Sequence, residues 1–488
     1  MKKTAFRVAA AAALCLGVAV SAFAQDPDSI KGAVGAPKDS TKGMIGGDLN
    51  FGQIDEDWYT TIHLGFSMDL GKIGFGVQVP LRLRVYDADP QEASDSVFRE
   101  EDWDEWTDYL KIIRFFRFGH KGDFIYVVVG DLPGATIGHG TIVNRYYNNV
   151  DLDHYKMGLA ADLNTDYGGL ETLFNNGFVT NLFAFRGYVR PWSFVDKESY
   201  LNNFAVGFSV AADVTAPYTL GVVETDREYD SPPVETEETA TVMGGDIEFK
   251  LLDTSILSLT PYMDLNGIPA SGGVGYHAGI LSVFHIGGIS MDLQARLEYR
   301  YFTGDYIPAY FNSYYEIQKF AYPFQDESGL HTGTGQRGEA VLPKRRVLEE
   351  LPDQGLNGYY AEVVFNFLGL FTVGASYDDY DGKYNSNLRI YLDVPALEVF
   401  QFGAYYYKHN FEGADEAFTF DDKSLFLIEA RYQITSFLYI VGQYWRIWQL
   451  DNNPTIDDEN GQPIDNPDYG TYVPVDDWSI GLGVSYTF

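Results

Sequence analysis

The stretch 476–488, DDWSIGLGVSYTF, decides how the rest of the chain is read. Trp478, Ile480, Leu482, Val484, Tyr486 and Phe488 alternate with Ser479, Gly481, Gly483, Ser485 and Thr487. A strict period of two puts the large apolar side chains on one face of a strand and the small or polar ones on the other. In a soluble sheet that apolar face needs a second layer, yet the sequence stops here, on an aromatic residue. A membrane-spanning β-strand needs about 9–11 residues, apolar outward, polar inward and aromatic at the interface. This stretch meets each condition.

The same alternation runs back through the chain. Phe75, Val77, Val79, Leu81, Leu83 and Val85 interleave with Gly76, Gln78, Pro80, Arg82, Arg84 and Tyr86. Between 289 and 302, Ile289, Met291, Leu293, Ala295, Leu297, Tyr299 and Tyr301 face one way, and Asp292, Gln294, Arg296, Glu298 and Arg300 the other. Such a polar row is not core, and the facing row is too uniformly apolar for a free surface, so the polar face lines a lumen. Further strands are expected near 57–69, 155–164, 178–189, 202–214, 240–251, 256–266, 357–368, 370–380, 385–394, 397–409, 422–434 and 437–449. Weaker ones fall at 44–54, 110–119, 124–132, 218–225 and 273–286. Boundary errors merge or split neighbours, which gives an all-β, transmembrane, antiparallel up-and-down barrel of about 18 strands, within about 16–20.

Connection lengths supply a separate test. Long links (87–109, 133–154, 226–239, 303–356, 450–475) tend to alternate with short ones, the pattern of external loops and periplasmic turns, with both termini periplasmic. The short link 381–384 and the longish one at 165–177 break the contrast.

Residues 1–24 read as a secretory leader: Lys2, Lys3 and Arg7, then an apolar run, then Ala22-Phe23-Ala24 as a small-x-small cleavage site. Residues 25–43 read as a short periplasmic tail, too short for the N-terminal plug domain of a gated importer, and 44–488 as the barrel. The only cysteine, Cys15, lies in the leader, which excludes disulfides and thiolate metal sites from the processed chain. Without the leader's cations, 31 Lys and Arg stand against 69 Asp and Glu, a balance of −38 that argues against nucleic acid. Sixteen per cent aromatic residues suit two interfacial girdles.

The terminal strand, chiefly Tyr486 and Phe488, resembles the last strand of bacterial outer-membrane barrels. That resemblance implies an assembly signal read by the barrel-assembly machinery, and contact with outer-membrane lipid and lipopolysaccharide. At the level of leader, alternation, loop phase and terminal strand the chain resembles porins, which implies an outer-membrane channel for passive diffusion of small hydrophilic solutes. The other reading is a non-transporting barrel serving as surface scaffold, adhesin or partner-holding sleeve.

Candidate lumen residues are Arg82, Arg84, Arg186, Asp292, Gln294, Arg296, Glu298, Arg300, Arg389, Glu429, Arg431 and Arg446. Their charges either brace a wide barrel as cross-strand ion pairs or form a selective eyelet. The segment 139–155 is either an external loop or folds into the lumen. The connection 303–356 carries Phe311, Tyr314, Tyr315 and Phe320 and then Lys344, Arg345 and Arg346 before Glu349 and Glu350. Its length and aromatic content suit packing over or into the barrel mouth. The basic triplet either binds an anionic solute or lipopolysaccharide, or ends a helix balanced by the glutamates.

In Asp457-Asp458-Glu459-Asn460-Gly461 the calcium-loop spacing fails at Ile456, so no metal site is expected. No G-x-S-x-G, H-E-x-x-H or Walker A occurs, His63 and His139 are isolated, and neither an enzyme nor a cofactor is expected. If Tyr486 and Phe488 carry the assembly signal, deleting Phe488 lowers outer-membrane levels and leaves unassembled chain in the periplasm. Normal heat-modifiable migration of the truncated protein would argue against that role.

Overall fold

The computed structural model describes residues 42–487 apart from short stretches, the longest being 88–95, 223–230 and 332–341. The expected leader, the tail up to residue 41, and Phe488 lie outside the described residues, as do 458–462 of the acidic loop.

Alternation in the sequence becomes a ring. The first strands are β1 (Lys42–Ile54), β2 (Asp57–Asp69), β3 (Ile73–Tyr86), β4 (Ile113–Phe118), β5 (Ile125–Gly130), β6 (Gly158–Thr165) and β7 (Gly168–Phe174). There follow β8 (Leu182–Val189), β9 (Phe204–Leu220), β10 (Val234–Phe249), β11 (Leu257–Ile268), β12 (Gly273–Ile286), β13 (Met291–Phe302) and β14 (Leu356–Phe367). The last are β15 (Phe371–Tyr380), β16 (Ser386–Leu397), β17 (Phe400–Phe411), β18 (Ser424–Gln433), β19 (Leu438–Leu450) and β20 (Tyr472–Thr487). Each strand pairs antiparallel with its neighbour in the chain, and a two-residue strip, Leu252–Asp253, adds to β11. The ring closes where β20 meets β1, Met44 opposite Thr487 and Gln53 opposite Trp478. Closure removes every edge, which is what allows a sheet to stand in hydrocarbon.

The count is twenty, above the expected 18 or so, and the reasons are local. The link 165–177 contains β7, and the expected strand at 218–225 is only the end of β9. In β7, Leu170 lies on the outer face while Leu173 lies on the inner face and is fully buried. Apolar residues on both faces hide the period-two signal.

An even strand number puts both termini on one rim. The opposite rim carries the long connections 87–112, 131–157, 221–233, 303–355, 412–423 and 451–471, together with short turns such as 381–385. The terminus rim has turns of a few residues except at 190–203 and 250–256. The outer face is apolar and uncovered: Leu49, Leu64, Leu297 and Leu482 are each more than half exposed, and Tyr486 is 63% exposed. The inner face differs from an open lumen, because Arg296, Glu298 and Arg300 point inward but are almost fully buried.

Leu293 lies on the outer face and Gln294 is half-buried on the inner one. Leu293→Arg is expected to destabilise the barrel by up to about 2–4 kcal/mol, the full cost applying at the bilayer midplane and less at the third residue of β13, and Gln294→Arg by little. Denaturant unfolding in lipid checks this, and equal losses would mean the facing is reversed.

Candidate functional site

The burial of that inner face comes from two long-rim connections that turn into the barrel. In the first, Ala135 and Tyr146 exchange backbone hydrogen bonds of 2.9 and 2.8 Å, making a small hairpin. Its tip turns through Gly138 and Gly140, whose φ of +56° and +75° favour glycine. The second, from Thr303 onward, lies alongside it. Ala309 N–H donates to the Thr141 carbonyl (2.9 Å), Phe311 N–H to Ile142 (3.2 Å) and Asn144 N–H to Phe311 (3.0 Å). The two connections thus share a strip of parallel β-ladder in mid-lumen and act as one plug.

Wall and plug are matched in shape. Ala184, Ala211, Ala216, Ala240 and Val242 give β8–β10 a low-relief inner surface. Against it pack Tyr146, Tyr306, Tyr310, Phe311 and Tyr315, each at most 1% exposed. Consecutive tyrosines then reach different walls. The Tyr315 hydroxyl donates to Asp213 of β9 (2.8 Å). Tyr314 stacks on Tyr407 of β17 (4.5 Å), meets Trp448 (5.2 Å) and bonds the Tyr405 hydroxyl. The plug therefore crosses the lumen.

Charged groups fasten it. Glu316, on the short helix α1 (Tyr315–Gln318), is buried and accepts from Lys156 (2.6 Å), Lys319 (2.9 Å) and the Tyr146 hydroxyl. Burial alone raises a carboxyl's pKa, but the two ammonium groups outweigh it and hold Glu316 well below the usual range. At the hairpin tip, His139 Nδ1 meets Asp264 (2.8 Å) and Nε2 meets Glu248 (3.0 Å), while the ring stacks on Tyr262 at 4.1 Å. Burial opposes the charged imidazolium, yet these two carboxylates raise its pKa to about 9. Beside it lies a polar cavity of about 10 Å³, enough for one water.

The basic triplet begins a second short helix, α2 (Lys344–Val347). Lys344 is fully buried, donates to the Tyr310 carbonyl (2.7 Å) and sits over the rings of Tyr310 and Tyr322. Burial pushes its ammonium down to about 7. Arg345 pairs with Glu238 (2.6 Å) and Glu349 (3.3 Å), and Arg346 with Glu349 (3.1 Å) and Glu350 (2.8 Å). The triplet thus opens the helix, its two arginines are balanced by glutamates, and Arg345 ties the plug to β10.

Most expected lumen charges are paired. Arg186 takes Asp246 with two nitrogens (3.0 and 2.7 Å) and Glu171 with a third (2.9 Å). Glu298 accepts from Arg296 (2.7 Å), Arg300, His277 (2.9 Å) and Tyr262 (2.5 Å), and both arginines lie over the Tyr360 ring. Asp292 meets His285, Arg82 meets Asp102, and Arg84 meets Asp57 (3.4 Å). Arg389, half-buried inside β16, is surrounded by the phenols of Tyr314, Tyr360, Tyr405 and Tyr407. Arg446 stands elsewhere: it pairs with Asp476 (2.5 Å), which shares the outer face with Trp478 and Ile480.

One arc of the wall keeps its polar groups for itself. From β18 through β20 to β2, Arg431 meets Glu429 (2.6 Å), Gln443 donates to Glu429 (2.5 Å) and Ser479 donates to Gln443 (2.9 Å). His63 meets Asp48 at 3.1 Å, and Asn50 donates to Asp48 at 2.6 Å. His63 and Arg431 remain 40% and 25% exposed. Among the described residues, every hydrogen bond of these side chains stays within the arc. Sequence reading missed Glu316, Tyr146 and His277, since single residues in long connections or in a glycine-rich strand carry no periodic signal.

A closed, even-numbered antiparallel barrel with an apolar outer face is the architecture of outer-membrane barrels, here with two connections folded inward. No protein-family profile matches the chain, and no curated protein matches it. Among solved structures it is similar to the outer membrane protein opdK of Pseudomonas aeruginosa, at 10% identity over 92% of this chain and 99% of that one, TM-score 0.31. It is similar to a mutant of the ferric enterobactin receptor PfeA of the same organism, at 10% identity over 92% and 80%, TM-score 0.34. It is also similar to Wzi of Escherichia coli, an outer membrane protein involved in group 1 capsule assembly, at 10% identity over 94% and 87%, TM-score 0.33.

The two shifted groups make plug stability depend on pH in opposite senses. His139 has a raised folded pKa, so its contribution is full below about 6.5 and is lost as pH rises through about 9. Lys344 has a lowered one, so stability falls as pH drops from 10.5 towards about 7. In hydrogen exchange of the 138–144 amides, His139→Gln is expected to remove the first limb, about 2–3 kcal/mol, and leave the second. An unchanged profile would show that His139 does not hold the tip.

Proposed function

We propose that the protein is a porin-like channel for passive passage of small hydrophilic solutes, with the two-connection plug setting its bore and the polar arc of β18–β20 and β1–β2 lining the path. The single observation that carries this reading is asymmetry. The plug's ties go to β5–β17 and to the loop-rim ends of β18, β19 and β20, at Leu425, Trp448 and Tyr472, whereas the rest of the arc holds partly exposed charges and amides partnered with one another. Water-filled paths need such groups, and a solid core does not.

The long connections then face outward against lipopolysaccharide, the termini face the periplasm, and the barrel-assembly machinery reads β20 during insertion. A second reading, a non-transporting sleeve, is favoured by the apolar cluster of plug and wall, which is packed as in a protein interior.

Excising 306–351 and rejoining β13 to β14 with a short glycine-rich turn is expected to raise single-channel conductance in planar bilayers. Arg431→Glu in the intact chain is expected to lower anion preference with little change in conductance. Arg345→Gln should loosen the plug without altering ion preference, because its partners are Glu238 and Glu349. Silence from both the parent and the excised form would overturn the channel in favour of the sleeve.

A further inference from the structure

The wall is not of even height. β4 and β5 have 6 residues each, β6 has 8, β7 has 7 and β8 has 8. A strand needs about 9–11 residues to cross the hydrocarbon. Sheet alone therefore falls short on this side of the barrel, and a bilayer must thin or the protein must supply apolar surface by other means.

The longest connection of the terminus rim joins this sector to the long strands β9 and β10 and lies beneath β6–β10. Residues 190–203 form two 3₁₀ turns, Pro191–Phe194 and Tyr200–Asn203. They expose Phe194 (68%), Val195 (84%), Tyr200 (56%) and Leu201 (43%). The neighbouring 250–256 connection adds Leu251, Leu252 and Ile256, all exposed. This surface faces the lipid side. Trp192 packs edge-on against Phe204 (5.6 Å), and Tyr200 against Phe249 (5.3 Å). Phe204 shares its face of β9 with exposed Val206 and Phe208, and Phe249 shares its face of β10 with exposed Ile247. At the other end Phe194 meets Tyr167 of the β6–β7 turn (5.1 Å).

The segment is also held in place. Asn202 donates to the carbonyls of Asp196 (2.8 Å) and Lys197 (2.5 Å), Leu201 N–H donates to Ser199 Oγ (3.3 Å), and the Tyr200 hydroxyl bonds the Leu251 carbonyl. Its charges nearly cancel: Arg190, Lys197 and Lys250 stand beside Asp166, Asp196, Glu198 and Asp253. Attraction to anionic headgroups is therefore not what it is built for.

We propose that residues 191–203, with 250–256, form an apolar foot seated in the terminus-side leaflet, where it supplies the hydrophobic height that the short strands β6–β8 lack. The occupant of this surface is lipid, because Trp192 and Tyr200 pack onto outward-facing Phe204 and Phe249 and so continue the barrel's own lipid-facing band. Zwitterionic lipid suffices.

A single cysteine tests it, since the processed chain has none of its own. Val195→Cys, labelled with a polarity-sensitive dye and reconstituted in phosphatidylcholine vesicles, is expected to be quenched by lipid brominated at shallow chain positions several-fold more than by aqueous iodide. Leu297→Cys marks the lipid face and Val222→Cys, on the long-connection rim, marks water. Iodide quenching of position 195 equal to that of position 222 overturns the proposal and leaves the patch to a water-borne partner. The triple variant Phe194→Ser, Val195→Ser, Leu201→Ser is expected to lose melting temperature in dioleoyl but not in thinner dilauroyl phosphatidylcholine. An equal loss in both lipids would mean that the segment only packs against the barrel, and this too overturns it.

Discussion

A carboxylate withdrawn from water is tolerated only if donors replace the water it lost, and Glu316 is where this protein meets that condition. Its donors come from three parts of the chain: Tyr146 in the hairpin, Lys156 just before β6, and Lys319 beyond its own helix. Removing one partner of a buried pair generally costs about 3–5 kcal/mol, because the other charge stays behind. The two inward connections are consequently not independent loops. The parallel strip through Val143 and Phe311 has register because Glu316 fixes both of its sides, and the aromatic packing against β8–β10 depends on that register in turn.

The fold was largely legible, and where it was not the reason is physical. Period-two alternation reports a wall with lipid on one side and water on the other. It identified β13 and β20 cleanly, where Leu297 and Leu482 meet lipid and their neighbours do not. It failed at β7, whose inner face meets the plug's apolar cluster through Leu173 rather than water. Counting strands inherits that failure, since a stretch lying against the plug's apolar cluster looks apolar on both sides.

The candidate site was legible as residue types and not as an arrangement. Inward charges such as Arg296, Glu298 and Arg300 follow from alternation, but their joint service to one buried network with His277 and Tyr262 requires the register between strands. Arg446 shows the limit of alternation near a strand end, where the outer face passes out of the lipid and tolerates a salt bridge with Asp476. The 303–356 connection advertised burial through its aromatics. That Tyr314 and Tyr315, adjacent in sequence, reach different walls is a property of the lumen's width and not of the residues.

The seam between β1 and β20 joins the two ends of the chain, and it has a bearing on the order of events during insertion. Contacts of such sequence separation form late, since the loop-closure entropy must be met first. The plug's ties to β9 by Tyr315 and to β17 by Tyr314, by contrast, close far shorter lengths of chain than the seam does. On loop-closure entropy alone those shorter closures precede the seam, in the manner of a cooper bending staves about a form.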